Sequence, residues 1–155
     1  EIAAEREALI FYEPFEDWVD SAGGRRFFGK VDLVITSPPY FGAEVYNDSN
    51  SKQSTSRYDE YTLWRNRFYE PLIHGAYNLL KKGGVFVLNV ADVAEAPRLE
   101  RDANELAKRV GFERHGFFKL AMALSPTARH EGKTKQTLSV RGKRFRYEPV
   151  FVFRK

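Results

Sequence analysis

The sequence predicts an α/β fold, a sandwich with a largely parallel sheet, on the strength of three observations. Short apolar runs rich in β-branched and aromatic residues alternate with longer runs in which apolar residues recur every three or four positions. Of the 155 residues 43% are hydrophobic and 15% aromatic, a globular composition with enough apolar surface for one core. No apolar run approaches the roughly 18 residues of a membrane span, and the first ten residues lack the pattern of a signal peptide. We therefore expect one domain, residues 1–155, that does not cross a membrane.

Five runs are predicted to be strands, because each is short, apolar and rich in residues that favour extended backbone. They are residues 8–12 (ALIFY), 31–36 (VDLVIT), 85–90 (VFVLNV), 115–125 (HGFFKLAMALS) and 147–155 (YEPVFVFRK). The last two are expected to be neighbours, since only a polar and basic connection lies between them. Residues 47–57 (NDSNSKQSTSR) have no apolar periodicity, and we predict a mobile loop there.

Two segments carry the apolar stripe of a helix that packs on a core. The first runs from Tyr58 to Leu80, and Pro71 within it is expected to kink or divide the helix before the sequence KKGG ends it. Its stripe consists of Trp64, Phe68, Leu72, Ala76 and Leu79. The second follows Pro97 and is expected to stop at Gly111; its stripe consists of Leu99, Ala103, Leu106 and Val110.

The net charge of +4 is modest, but it is unevenly distributed along the chain. Residues 129–146 hold seven basic residues and one acidic residue, a net charge of +6, so the remainder of the chain sums to −2. A basic stretch on a nearly neutral domain is what phosphate binding needs, although a solvated loop has the same composition. Taken alone, the charge pattern leaves both interpretations open.

Cysteine is absent, which excludes disulfides, thiolate metal sites and a thiol nucleophile from this sequence. The three histidines, His74, His115 and His130, lack metal-ligand spacing, and we predict no metal site. This composition fits an intracellular protein. Because the chain begins with Glu1 and not with methionine, we expect it to be an excerpt of a longer polypeptide.

The most informative stretch is Ser37-Pro38-Pro39-Tyr40, which directly follows the predicted strand 31–36. In an open α/β sheet, ligands bind at the carboxyl ends of the strands, so this stretch is expected at the binding edge. Proline fixes φ and offers a carbonyl without an N–H donor, and Ser37 is held extended because a proline follows it. A stiff turn with carbonyl acceptors beside the ring of Tyr40 suits a planar ligand that carries an amino group, such as a nucleobase.

This stretch resembles the (Asp/Ser/Asn)-Pro-Pro-(Tyr/Phe) signature of S-adenosylmethionine-dependent amino methyltransferases that act on cytosine or adenine. Its context, VDLVITSPPYFG, then WRNRFYEPLIHGAYNLLKKGGVFVLNVADV, then YEPVFVFRK, is similar to the catalytic half of such DNA methyltransferases, from about Ile10 to the end of the chain. The resemblance implies a partial Rossmann-like methyltransferase sandwich, with a mostly parallel sheet and an antiparallel final strand. It also implies a cytoplasmic enzyme encoded by a bacterium, an archaeon or a phage.

The resemblance assigns catalysis to Ser37, Pro38, Pro39 and Tyr40. An exocyclic amino nitrogen is a weak nucleophile because its lone pair is delocalised into the ring of the base. Acceptors for its two hydrogens favour a pyramidal nitrogen with a free lone pair, and we expect the carbonyl of Pro38 and the side chain or carbonyl of Ser37 to be those acceptors. Tyr40 is expected to stack on a base flipped out of the duplex; flipping costs a few kcal/mol, and stacking returns roughly 1–3 kcal/mol.

The expected substrate is DNA, with cytosine N4 favoured over adenine N6, because a serine in the first position of the signature is more usual in enzymes for cytosine. Cytosine C5 methyltransferases use a cysteine nucleophile, which this chain does not have. Two alternatives stay open: an enzyme that methylates RNA, and a remnant of the family that binds nucleic acid without transferring a methyl group.

The family's cofactor site depends on a glycine-rich turn of the Phe-x-Gly-x-Gly type, and the sequence contains none. We therefore expect the missing cofactor-binding portion of the same protein to be a partner of these residues. The stretch FYEPFEDW (11–18) follows a predicted strand and is expected to meet the cofactor adenine, with Glu13 or Asp17 as acceptor and Phe15 stacked on the ring. The alternative is a surface turn in which Phe15 and Trp18 pack into the core.

The basic segment 129–146 joins the last two predicted strands, a place where related enzymes present side chains to nucleic acid. Phosphates are expected to bind there with salt-dependent and largely sequence-blind affinity, through Lys133, Lys135, Arg141, Lys143, Arg144 and Arg146. Asn89 and Asp92 share the ligand edge with Ser37; they would contact base or cofactor, or else form an Asx turn. An exposed sheet edge also invites association, so a homodimer is a further expectation.

Overall fold

A computed structural model gives the structure of residues 8–42, 53–122 and 136–155. Helices and strands alternate in these residues, which confirms the predicted α/β class. The α-helices are α1 (Phe15–Trp18), α2 (Ala22–Arg25), α3 (Ser54–Arg57), α4 (Tyr61–Trp64), α5 (Glu70–Leu79) and α6 (Leu99–Val110). The strands are β1 (Val31–Thr36), β2 (Leu80–Asn89), β3 (Glu113–Met122), β4 (Thr137–Val140) and β5 (Lys143–Arg154).

The described strands form one sheet in the order β1–β2–β5–β3, and β4 pairs with the first residues of β5. β1 and β2 run parallel, whereas β5 runs antiparallel to β2, β3 and β4. The antiparallel final strand is confirmed, and so is the adjacency of the last two predicted strands. The described strands form one parallel pair, β1–β2, and three antiparallel pairs, one of which is made by the unpredicted β4.

The predicted strand 8–12 is wrong. Residues 8–14 form no strand, and Ile10 and Tyr12 are exposed. A strand needs a partner for its backbone N–H and C=O groups, and none of the described strands pairs with this run. Phe11 instead packs against the rings of Trp18 and Phe27. The apolar side chains of this run therefore serve a local aromatic cluster and not a sheet.

The first predicted helix is divided close to Pro71, as expected. α4 passes into a π-helical turn, Arg65–Tyr69, which continues into α5. Pro71 has no N–H for the carbonyl four residues earlier and its ring clashes with that carbonyl, so the wider π turn relieves the conflict. α5 ends at Leu79, and the sequence KKGG lies in the irregular first part of β2, which begins at Leu80.

The helices α5 and α6 cover one face of the sheet and build the core there. The residues of both predicted stripes are buried except Val110, which is half-buried. The core cluster also contains side chains of β2 and β5; it includes Ile73, Ala76, Ala103, Leu106, Phe86, Leu88, Phe151 and Phe153. The opposite face carries Leu33 and Ile35 on β1, and both are exposed. The sheet is therefore covered on one side only within the described residues.

A buried carboxylate ties α4 to α6. Asp102, which is 5% exposed, accepts a hydrogen bond of 2.7 Å from the hydroxyl of Tyr61 and one of 3.1 Å from Nε of Arg65. Burial raises the pKa of Tyr61, and the hydrogen bond to Asp102 raises it further. A buried charge of this kind is tolerated only while its partners remain in place.

Two further findings concern the described residues. No helix in the described ranges is long and apolar enough to cross a membrane. The loop predicted at 47–57 includes α3, which begins at Ser54, while residues 47–52 lie outside the described residues.

We expect Tyr61→Phe to lower the free energy of unfolding by about 1–3 kcal/mol, because the buried carboxylate of Asp102 loses a donor. The fold favours the neutral phenol, so its contribution to stability is present below about pH 10 and is lost as the pH rises further. Urea denaturation at about pH 8 and about pH 11 measures both effects. Tyr58→Phe is the control at neutral pH only, because burial also raises the pKa of Tyr58. Equal losses in the two variants at neutral pH would contradict the role of Asp102.

Candidate active site at the carboxyl edge of the sheet

The stretch Ser37-Pro38-Pro39-Tyr40 leaves the sheet at the carboxyl end of β1. Thr36, the last residue of β1, lies opposite Leu88, so β1 and β2 end at the same edge. Gly42 follows the stretch at φ +70°, and a Cβ at this position would lie 2.8 Å from the Cβ of Glu95. The strand at one end and the glycine at the other therefore hold this turn at the edge where the sequence predicts a ligand.

The four residues of this turn differ in exposure. Ser37 is exposed, Pro39 is half-buried and Pro38 is buried. Neither proline has an N–H, so the turn offers carbonyl acceptors with few donors of its own. A ligand that arrives from solvent meets Ser37 first.

Tyr40 is buried, with only 3% of its surface exposed. Its hydroxyl donates to Oε2 of Glu148 at 3.3 Å, and its ring belongs to the main apolar cluster. The next residue, Phe41, packs edge-on against Tyr61 and also contacts the ring of Trp64. In this conformation Tyr40 presents no open ring face, so the stacking predicted for it requires the ring to turn out of the core.

Asp92 and Glu100 fasten the segment after β2 to the first turn of α6. The N–H of Glu100 donates to Oδ1 of Asp92 at 2.8 Å, and the N–H of Asp92 donates to Oε1 of Glu100 at 3.1 Å. The amide of Asn89 donates to the carbonyl of Pro149 at 3.0 Å, across the β2–β5 pair. Asn89 and Asp92 thus hold the fold together through side-chain to backbone hydrogen bonds.

The strands β4 and β5 form a hairpin that extends past the end of β2. β2 pairs with residues 150–154 of β5, whereas β4 pairs with residues 143–146. Arg141 and Gly142 join the strands at φ +49° and +76°, as a tight two-residue hairpin turn requires. Four predicted phosphate-binding residues lie here, all exposed and none in an ion pair with a described residue: Arg141, Lys143, Arg144 and Arg146. We call residues 137–146 the basic hairpin; the predicted Lys133 and Lys135 lie outside the described residues.

Gln136 anchors the basic hairpin next to the turn. Its side-chain amide donates to Oε1 of Glu100 at 2.7 Å. Its backbone carbonyl accepts from the backbone N–H of Tyr147 at 3.2 Å. Burial raises the pKa of Glu100 above its ordinary value. Glu148, which follows Tyr147, accepts the hydroxyl of Tyr40. Hydrogen bonds therefore link the hairpin both to α6 and to the Ser-Pro-Pro-Tyr turn.

The three residues predicted to meet the cofactor lie at α1. Glu13 is exposed, and Phe15 packs so close to Gly75 of α5 that a Cβ on this glycine would lie 2.9 Å from the ring. Asp17 accepts two hydrogen bonds from Arg57, at 2.9 and 3.1 Å. Phe15 and Asp17 thus attach α1 to α5 and α3, which favours the alternative of a packed surface turn. The contact of Glu13, Phe15 and Asp17 with a cofactor adenine stays a prediction.

The described residues do not by themselves fit S-adenosylmethionine, because they contain no glycine-rich turn at the carboxyl end of a strand. Gly23 and Gly24 lie in α2, where a Cβ on Gly24 would lie 2.2 Å from the carbonyl oxygen of Trp18. Gly83 and Gly84 lie in the first part of β2, at the amino end of that strand. Both glycine pairs are therefore explained by the packing and turns of the fold.

A Ser-Pro-Pro-Tyr turn at the carboxyl edge of an α/β sheet is the arrangement of the amino methyltransferase class. The chain matches the family described as DNA methylase, which comprises N6 and N4 methyltransferases, over residues 31–155. It belongs to this family. The match begins at the first residue of β1 and includes the basic hairpin, but residues 1–30, with Glu13, Phe15 and Asp17, lie before it.

Solved structures of TTHA0409 from Thermus thermophilus, described as a candidate DNA modification methylase, share the fold. The complex of that protein with S-adenosyl-L-methionine has a TM-score of 0.54 at 17% identity, covering 92% of this chain and 53% of that chain. The selenomethionine derivative has a TM-score of 0.57 at 19% identity, covering 92% of this chain and 50% of that chain. A third structure has a TM-score of 0.55 at 21% identity, covering 92% of this chain and 51% of that chain. At these identities the likeness shows the fold alone, and the chain spans about half the length of the structures it matches. No curated protein matches the chain.

Sequence reasoning does not find Glu148 or Gln136, the two residues that connect the basic hairpin to its surroundings. The hairpin itself has a signal, since Arg141-Gly142 separates two runs of alternating residues, TLSV and KRFR. No sequence pattern predicts the hydrogen bond between Tyr40 and Glu148, because 108 residues separate them and only the β2–β5 register brings them together.

We expect Tyr40→Phe to lower the free energy of unfolding by about 1 kcal/mol, because the hydrogen bond to Glu148 is lost while the ring stays in place. Tyr40→Ala is expected to cost about 3–5 kcal/mol, since it leaves a cavity in the core. Urea unfolding of both variants beside the unchanged protein measures the difference. Small and similar losses in the two variants would show that the ring does not lie in the core in solution.

Proposed function

We propose that this chain is the base-binding half of an S-adenosylmethionine-dependent methyltransferase that modifies an exocyclic amino group in DNA. The observation that carries the proposal is the Ser-Pro-Pro-Tyr turn at the carboxyl edge of β1, in a chain of the DNA methylase family. The exposed basic hairpin beside the turn supports it. S-Adenosylmethionine supplies an electrophilic methyl group when bound, and the residues described here bind and orient the base.

The turn activates the amino nitrogen by accepting its two hydrogens. The carbonyl of Pro38 and the hydroxyl or carbonyl of Ser37 would take these hydrogens, which draws the nitrogen lone pair out of conjugation with the ring. Because the prolines carry no N–H, neither of them can donate a hydrogen bond to the carbonyls that are to accept from the base. Placing the nitrogen in a fixed orientation supplies much of the remaining rate acceleration, and no covalent intermediate is needed.

Tyr40 would act as a ring that exchanges core packing for base stacking. Its bond to Glu148, at 3.3 Å, is long for an O–H donor, so breaking it costs no more than about 1 kcal/mol. Flipping a base costs a few kcal/mol, and stacking on an aromatic ring returns roughly 1–3 kcal/mol. Taking the ring out of the core costs up to about 3–5 kcal/mol more, so stacking alone does not offset the exchange, and the phosphate contacts of the hairpin would have to supply the difference.

Cytosine N4 is the proposed position, in preference to adenine N6. Support comes from Ser37 in the first place of the signature, the residue more usual in the cytosine enzymes that this chain resembles. The chain has no cysteine to act as a nucleophile toward cytosine C5. Both amino targets would use the same pair of acceptors, so the position of the label in the assay below decides between them.

The basic hairpin would hold the phosphates that flank the target base. Its side chains lie past the end of β2, on the same edge as the turn, and are free of ion pairs with the rest of the described structure. Arginine and lysine contacts to phosphate fix position and orientation but carry no sequence information. The hairpin would thus account for affinity for DNA, whereas sequence specificity has to come from contacts to base edges.

The full gene product is expected to methylate DNA on an amino group, and Ser37→Ala is expected to lower kcat by about tenfold or more at unchanged DNA affinity. The substitution removes the hydroxyl of Ser37 and keeps its carbonyl, so a fall in kcat assigns the second acceptor to the hydroxyl and an unchanged kcat assigns it to the carbonyl. The assay supplies methyl-labelled S-adenosylmethionine with DNA or with RNA and resolves the labelled nucleosides by mass spectrometry. Ser56→Ala, which changes an exposed serine of α3, is the matched control.

The position of the label decides among the alternatives. Label on the cytosine amino group of DNA supports the proposal, and label on adenine changes the base but keeps the mechanism. Label in RNA alone would correct the substrate. No label on either polymer, with DNA binding retained, would make the chain a nucleic-acid-binding remnant of its family.

The double substitution Arg144→Ala and Arg146→Ala is expected to weaken DNA binding equally for all sequences. Losing two phosphate contacts should make the plot of log binding constant against log salt concentration less steep by about 1.8. Fluorescence anisotropy at several salt concentrations measures the slope. The control is Lys81→Ala with Lys82→Ala, which removes two exposed charges at the amino end of β2, the sheet edge opposite the hairpin. An equal change of slope in the control would mean that the effect is one of net charge alone.

A further inference from the structure

One carboxylate oxygen in the first turn of α6 contacts two parts of the candidate site. Oε1 of Glu100 accepts a hydrogen bond of 3.1 Å from the backbone N–H of Asp92 and one of 2.7 Å from the side-chain amide of Gln136. Asp92 follows β2 at the edge where the Ser-Pro-Pro-Tyr turn lies, and Gln136 directly precedes the basic hairpin. Glu100 therefore connects the carboxyl edge of the sheet to the base of the hairpin.

Asp92 holds the carboxylate of Glu100 in a defined place. The backbone N–H of Glu100 donates to Oδ1 of Asp92 at 2.8 Å, so the two residues bond to each other in both directions. Burial raises the pKa of Glu100, and the hydrogen bonds from Asp92 and Gln136 act against that rise. A half-buried carboxylate that lost one of these donors would be left poorly solvated, which favours the arrangement in which Gln136 donates.

The basic hairpin depends on contacts at its base because it projects beyond the other described strands. β2 pairs with β5 only from Val150 onward and β3 only from Arg146 onward, so residues 143–145 pair with β4 alone among these strands. A two-stranded ribbon is only marginally stable by itself. Lys143 lies about 13 Å along the strand from Tyr147, so a tilt of about 20° at the base would move it by about 4 Å.

Two side chains attach the base of the hairpin to the rest of the site, and only one of these links would last through the proposed reaction. The hydroxyl of Tyr40 donates to Glu148, but this bond opens if the ring turns out to stack on a base. The amide of Gln136 donates to Glu100 and takes no part in that movement. The link through Glu100 would therefore hold the hairpin while the base is bound.

We propose that Glu100 is a positioning residue for methyl transfer, which holds the basic hairpin through Gln136 so that a bound duplex presents its base to Ser37–Tyr40. This inference rests on the proposed function. Phosphate contacts fix the duplex to the hairpin, and the angle of the hairpin then decides where the base lies. Because a misplacement of about 1 Å can lower a rate by about 10²-fold, the link would act on kcat more than on DNA affinity.

A charge swap in the full gene product tests the link. Gln136→Glu places a second carboxylate against Glu100, and repulsion between the two should break the contact. Adding Glu100→Gln restores the original net charge, and the new amide can donate to the new carboxylate while its oxygen still accepts from Asp92. Ser139→Glu is the matched control, because it adds the same charge at an exposed position of β4.

Methylation kinetics and DNA affinity then separate position from charge. We expect Gln136→Glu to lower kcat at saturating DNA by about tenfold or more, and to weaken DNA binding no more than Ser139→Glu does. The added Glu100→Gln should restore kcat. Ser139→Glu should weaken DNA binding and leave kcat at saturating DNA unchanged, and the addition of Glu100→Gln to it should restore nothing.

Hydrogen exchange followed by mass spectrometry gives a second readout, which needs neither DNA nor methyl transfer. Gln136→Glu should speed exchange of the amides of residues 137–146 by about tenfold, with α6 unchanged, and the added Glu100→Gln should reverse the effect. Faster exchange throughout α6 would overturn the proposal, because the variant would then act on the fold as a whole.

The proposal would also be overturned by an unchanged kcat in Gln136→Glu, or by a loss of kcat that Glu100→Gln does not restore. Failure of the proposed function looks different. In that case the hairpin exchanges as expected in all variants, but the unchanged protein methylates no nucleic acid, so the contact between Glu100 and Gln136 would stand without a role in methyl transfer.

Discussion

The register between β1 and β2 is the constraint on which the candidate site depends. Thr36 lies opposite Leu88 in the parallel pair, so the Ser-Pro-Pro-Tyr turn leaves the sheet just where β2 ends. β5 runs antiparallel to β2 and pairs with it only from residue 150, so its earlier residues lie past that edge. A slip of one residue in β1 would turn Val34 and Thr36 away from the core and misplace the turn.

The features that local sequence chemistry controls could be predicted, and those that depend on distant pairing could not. The helical stripes around Trp64 and Leu106, the disturbance at Pro71 and the position of Ser37 directly after a strand follow from periodicity and from the properties of proline. The run at 8–12 looks like a strand but has no partner, which composition alone does not show. The burial of Tyr40 and its bond to Glu148 require knowledge of the whole sheet.

Tyr40 stabilises the described fold, and the proposed function gives the same residue a second role in base recognition. As described, its ring fills the core and its hydroxyl attaches the turn to β5, at the base of the basic hairpin. Because β5 carries both Glu148 and the hairpin, DNA that binds the hairpin would act on the strand that holds Tyr40. Opening the hydrogen bond to Glu148 is the smaller cost of such an exchange, because removing the ring from the core costs more free energy than losing one neutral donor.

The most direct measurement is a crystal structure of the full gene product with a DNA duplex and S-adenosylhomocysteine, the demethylated form of the cofactor. Our interpretation predicts an extruded base whose amino nitrogen lies about 3 Å from the carbonyl of Pro38, with the ring of Tyr40 against the base. It also predicts phosphates at Arg144 and Arg146. A duplex bound at the basic hairpin with every base stacked, or a base bound away from residues 37–40, would contradict it.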